Sequence, residues 1–111
     1  MSPALPKSNE STATVSRKVN LPAGMVLLMF ENEKMRQRWL SVPGMHVVKT
    51  DDRSLRMKLD DGTFLAITIH SKSSNKTQIT LQQEGLSSAK AVQRQRTFWM
   101  EQLNKLEESI G

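Results

Sequence analysis

The chain has 111 residues, no cysteine, and 16 Lys and Arg against 11 Asp and Glu, for a formal charge of +5. That length supports one core and at most one enclosed ligand site, because a domain of this size buries roughly 60 to 70% of the surface its unfolded chain exposes. Lack of cysteine excludes disulfide staples, thiolate nucleophiles and cysteine-ligated metals, and the longest apolar run, Met25 to Phe30, is far shorter than the roughly 20 residues of a membrane-spanning helix.

The N-terminus lacks the charged-then-apolar pattern of a secretion signal, so the reducing cytoplasm is the expected compartment. The basic residues are dispersed: Arg17 and Lys18, then Lys34 to Arg38, Lys49 to Lys58, and Lys90 to Arg96. With two Trp, three Phe and no Tyr, the stacking surface that single-strand binders combine with positive charge is hard to assemble. Nucleic acid is therefore a disfavoured partner.

Residues 1–13 hold two prolines and mostly small polar side chains, which predicts a flexible tail before a single domain over 14–111. From Thr14, Val15, Val19 and Leu21 share one side and Ser16, Lys18 and Asn20 the other, the pattern of a half-buried strand. Pro22 suits a first helical turn, with Asn20 upstream as a cap, and Met25 to Phe30 predicts a short helix buried on most of its surface. Asn32 can cap a second short helix, with Met35, Trp39 and Leu40 on one face and Glu33, Lys34, Arg36 and Arg38 toward solvent; Pro43 and Gly44 end it.

Four strands follow, each with one apolar face: Met45, Val47 and Val48; Leu55, Met57 and Leu59; Leu65, Ile67 and Ile69; Ile79 and Leu81. Asp51-Asp52-Arg53-Ser54, Asp60-Asp61-Gly62 and Ser73-Ser74-Asn75-Lys76 are turn sequences, so the strands run antiparallel. Gly85 closes the last strand and Ser87 or Ser88 can cap a helix to about Ser109. At about 100° per residue, Val92, Trp99, Leu103, Leu106 and Ile110 fall within about 40° of Val92, one apolar stripe that needs a sheet to cover it.

The strand ending in Asn20-Leu21-Pro22, the apolar helix after it and Asn32-Glu33 leading to Arg38-Trp39-Leu40 resemble the opening of SRPBCC proteins of the activator-of-heat-shock-ATPase-homologue type. Thr77 to Leu86, followed by a helix with Phe98-Trp99 and Leu103 to Leu106, is similar to that family's last strand and closing helix. The resemblance covers about Ala13 to Ile110 and implies an α+β helix-grip fold: a curved antiparallel sheet around the C-terminal helix, two short helices plugging one end. In larger members, the resemblance further implies, the gap between sheet and helix holds a lipid, sterol or polyketide-like molecule. Here only about four strands lie between the helix pair and the closing helix, and a shorter sheet curls around less space.

Catalytic signals are weak. His46 and His70 lie in predicted strands with no Cys, Asp or Glu at ligand spacing, so no metal is expected. The serines fall mostly in the tail and in turns, no Gly-x-Ser-x-Gly elbow occurs, and five glycines form no phosphate cradle, so no cofactor is expected. Asp51-Asp52 and Asp60-Asp61 read as turn formers rather than an acid–base pair, and Glu84 follows the last strand. Seven methionines would either pack a closed core or admit a flexible apolar ligand.

Two functions fit. The first is a noncatalytic module with a small hydrophobic ligand lined by Trp39, Met57, Leu59, Leu65, Ile67, Ile69, Ile79, Leu81, Val92, Trp99 and Leu103. The second is a protein-interaction or co-chaperone-like domain with a closed core, monomeric or weakly dimeric, docking through its basic exterior and Phe98, which lies about 100° from Trp99.

Overall fold

The computed structural model describes residues 11–40 and 44–109. Its elements are β1 (Thr12–Val19), α1 (Ala23–Glu31), α2 (Glu33–Trp39), β2 (His46–Thr50), β3 (Ser54–Lys58), β4 (Phe64–Ser73), β5 (Lys76–Glu84) and α3 (Ala89–Glu108). The strands form one curved antiparallel sheet in the order β1-β5-β4-β3-β2. The helix-grip architecture expected from the sequence is therefore present, with β1 beginning two residues before Thr14. Most of the expected tail, Pro43 and the stripe residue Ile110 lie outside the described residues, while α2 stops earlier than the expected Pro43 and Gly44, at Trp39 with extended Leu40 as its C-cap.

Each hairpin turn is built by its own side chains. In the β3–β4 turn Gly62 has φ +89°, a conformation costly for residues with a Cβ, and the Asp61 carboxylate accepts from the Thr63 N–H at 2.9 Å and its hydroxyl at 2.6 Å. Tight turns and register together place Ala13, Val15 and Val19 of β1, Leu55 and Met57 of β3, Leu65, Ile67 and Ile69 of β4, and Ile79 and Leu81 of β5 on one buried face. Two elements share that face. α3 runs closest to β1, whereas α1 covers the β3–β5 side.

Local chemistry sets the helix ends. Asn32 caps α2 by accepting from the Met35 N–H at 3.0 Å, and Ser88 caps α3 by accepting from Ala91 at 3.1 Å. α1 differs from expectation. Pro22 is itself the N-cap in an extended conformation, and no side chain caps the helix, so Asn20 has no such role. Nor is α1 buried nearly all round: Val26, Met29 and Phe30 face inward, while Met25 and Leu28 are each 42% exposed.

Arg36, expected in solvent, is instead only 7% exposed. Its Nη1 donates to the Phe30 carbonyl at 2.6 Å and approaches the Glu31 carbonyl at 3.4 Å, satisfying acceptors that the end of α1 leaves without helical partners. Burial pulls its guanidinium below the usual arginine range, with nearby Glu33 opposing that shift. Trp39 completes the clamp: its indole N–H donates to the Met29 carbonyl at 3.1 Å and its ring meets Phe30 edge-on at 4.9 Å. Two short helices that would be marginal alone thus become one unit.

β2 also departs from the expected one-sided pattern. It pairs with β3 alone at the sheet edge, all five of its residues are exposed, and Val48, at a break in register, is 56% exposed.

Candidate functional site

The ligand site expected from the sequence lies between the inner face of the sheet and α3, where the facing apolar side chains are buried. Of the eleven residues expected to line it, all except Val92 belong to one contiguous buried cluster. Val92, near the start of α3, is half-buried and outside that cluster. Trp39 is in the cluster and packs against α1, meeting Met29 and Phe30.

Trp99 is the centre of the interior. It is 1% exposed, meets Phe98 edge-on at 5.0 Å, and donates its indole N–H to Gln83 Oε1 at 2.7 Å. Gln83 Nε2 then donates to Thr63 Oγ1 at 2.9 Å, and Thr63 donates to Asp61. A chain of hydrogen bonds therefore runs from the helix through the sheet to a hairpin turn. An amide in the middle does not shuttle protons as an imidazole does; the arrangement holds α3 in one position on the sheet, because sliding the helix would strand a buried indole donor. Gln83 was overlooked in the sequence, although it shares strand parity with Ile79 and Leu81.

The same parity places Arg17 between Val15 and Val19 on the inner face. Its guanidinium pairs with Glu107 near the end of α3, with both side chains about one-third exposed. Gln102 is a further residue absent from the predicted stripe: it is 3% exposed, and its Oε1 has no hydrogen-bond partner among the described residues. Phe98 is half-buried and packs against the core.

His46 and His70 are exposed, His46 lying 3.7 Å from Asp60, and no three His, Cys, Asp or Glu converge among the described residues. Glu84 pairs with Arg56 at 3.3 Å on the outer face, where Arg56 also stacks over Phe64. Asp51 accepts from the N–H groups of Arg53 and Ser54 and from the Ser54 hydroxyl. These bonds, that from Arg53 foremost, hold its carboxyl below the usual carboxylate range. A lowered folded pKa means the turn is supported above the unfolded value of about 4 and loses that support as pH falls through the folded one. In a carboxyl NMR titration Asp51 is expected to protonate below the ordinary range, with exchange protection at Arg53 and Ser54 declining in step.

Three open grooves border described residues. One, of about 690 Å³, lies between β1 and α3. A second, of about 520 Å³, is lined by Met25, Met29, Met35, Arg38 and Ser109. A third, of about 290 Å³, lies by Ala23, Arg53 and His70 and is the only one of the three to touch an expected lining residue, Ile69. No helix among the described residues is long and apolar enough to cross a membrane.

Geometry of this kind defines a helix-grip α+β domain, and solved structures share it. Protein MLL2253 from Mesorhizobium loti matches with a TM-score of 0.73 at 14% identity, over 89% of this chain and 96% of that one. The Aha1 dimer from Colwellia psychrerythraea matches at 0.72 and 9% identity, over 88% and 94%. DynU16, from the dynemicin biosynthetic locus, matches at 0.73 and 10% identity, over 91% of this chain and 47% of that one. No protein-family model and no curated protein matches the chain. At such identities the likeness is one of fold.

Proposed function

We propose that this chain is a short SRPBCC-type domain of the activator-of-heat-shock-ATPase-homologue type that acts as a noncatalytic protein-docking module with a closed interior. The observation that carries this reading is the packing of Trp99, which is 1% exposed and ties α3 to the sheet through its hydrogen bond to Gln83. Its likeness in fold to the Colwellia Aha1 structure supports the type. The docking surface is the groove lined by Met25, Met29 and Met35, whose thioethers adapt to irregular partners, and Arg38 at its rim favours an acidic one.

A second reading, a small apolar ligand between the sheet and α3 lined by the eleven residues named above, draws support from Gln102. Its unpartnered buried Oε1 would accept from a ligand hydroxyl or amide.

Titration with a fatty acid and with anilinonaphthalene sulfonate, read by native mass spectrometry and thermal melting, separates the two. No saturable uptake is expected. One-to-one uptake with a raised melting temperature would sink the closed-core reading. Photoreactive methionine incorporated in cells should yield crosslinks to protein through Met25 and Met35; adducts confined to small molecules would favour the ligand reading.

A further inference from the structure

The two edges of the sheet are finished differently. β2 is five residues long, has a register break at Val48 and carries Lys49 next to it, all devices that discourage a further strand from pairing. β1 keeps an unbroken register with β5 over all eight residues, without bulge or proline. Its charged residues, Arg17 and Lys18, sit toward one end. Thr12 to Ser16 therefore present an uncharged stretch of main-chain donors and acceptors on the side away from β5.

The groove of about 690 Å³ opens beside this stretch. Thr14, Val15 and Ser16 all border it. Successive side chains of a strand point to opposite faces, so three consecutive residues share one groove only along the strand's edge.

The opposite wall is α3, whose charges run against its own dipole. Lys90, Arg94 and Arg96 occupy the first half, and Glu101, Glu107 and Glu108, with Lys105, the second. For a single helix that order is unfavourable at both ends. Laid antiparallel against a copy of itself, the basic half meets the acidic half.

The residues bordering the groove obey the same symmetry. In a two-fold interface, residue i meets j and j meets i. An axis passing Val15, and passing α3 midway between Thr97 and Met100, sets Thr14 opposite the copy's Ser16. On the helix it sets Arg96 opposite Glu101, Thr97 opposite Met100, and Gln93 opposite Asn104. All six of these helix residues are exposed and border the groove. Neither Arg96 nor Glu101 has an ion-pair partner among the described residues, so both charges are available.

We propose that the chain self-associates through this face: β1 pairs antiparallel with β1 of a second copy, and the two α3 helices lie antiparallel across the same axis, joined by two Arg96–Glu101 contacts. The dimer leaves the methionine-lined groove, between α1, α2 and the far end of α3, open on each copy.

Sedimentation velocity over a concentration series tests this. The wild-type chain is expected to dimerise with a Kd on the order of 10⁻⁵ M, weakening as salt is raised. Arg96→Glu and Glu101→Arg each create two like-charge contacts and should raise Kd at least about tenfold. Mixing the two variants restores both opposite-charge contacts, so a heterodimer should form where neither variant dimerises alone. Circular dichroism melts of both should match wild type, which separates lost association from lost folding; should either variant melt early, Gln93→Glu with Asn104→Glu provides the same repulsion at the flanking contacts. A wild-type monomer at all concentrations, a dimer indifferent to charge reversal, a mixture that stays monomeric, or a monomer that takes up an unrelated extended peptide on β1 would each overturn the proposal.

Discussion

Trp99→Ala is expected to remove about 4 to 8 kcal/mol of the domain's stability. Trp99 is among the largest of the fully buried side chains, and removing such an aromatic costs about 3 to 5 kcal/mol through lost burial and the cavity left behind. Truncation also orphans Gln83 Oε1 inside the core, adding about 1 to 3 kcal/mol. The combined loss of about 4 to 8 kcal/mol is a large share of the total of about 5 to 15 kcal/mol for a domain of ordinary stability. Trp99→Phe separates the terms, because it keeps an aromatic ring in place while removing the donor and the smaller part of the buried volume; a loss of about 1 to 3 kcal/mol from the orphaned acceptor is expected, with a small cavity cost added. Urea unfolding measures both. If Trp99→Phe were as damaging as Trp99→Ala, the bond to Gln83 would account for the loss; if it cost nothing, ring burial rather than that bond would hold the helix. A cycle with Gln83→Leu should show coupling between the two positions, since they share one hydrogen bond.

Leu103→Ala should cost about 3 to 5 kcal/mol and open a space beside α3 that takes a small apolar molecule. Leu103 is fully buried one turn after Trp99, so deletion of its branched end leaves a dry void between α3 and the sheet. Such a cavity binds benzene-sized probes. Benzene is then expected to raise the melting temperature of Leu103→Ala while leaving wild type unchanged. A comparable rise in wild type would mean that the native interior already has room, and would favour the ligand reading over the docking one. Because Trp99 and Leu103 are neighbours on one helix face, their losses should not be additive.

The antiparallel strands, the turn chemistry at Asp51 and Asp61, the caps at Asn32 and Ser88 and the apolar stripe through Trp99 and Leu103 were legible because each depends on residues a few positions apart. Period-2 and period-3.6 patterns report which face is buried, and a cap reports where a helix starts. Parity would also have exposed Gln83 and Arg17, whose polar identity hid their inward positions. What lies across the chain was not legible. Arg36 looks solvent-facing on its helix and becomes buried only because the end of α1 folds against it. β2 carries an apolar pattern yet is exposed, since its place at the sheet edge comes from strand order rather than from its own residues. The composition of the core was thus set by the sequence, through local periodicity. How far α3 stands from the sheet is a matter of tertiary packing, because it depends on the buried contact of Trp99 on the helix with Gln83 on the strand, residues that no local periodicity brings together.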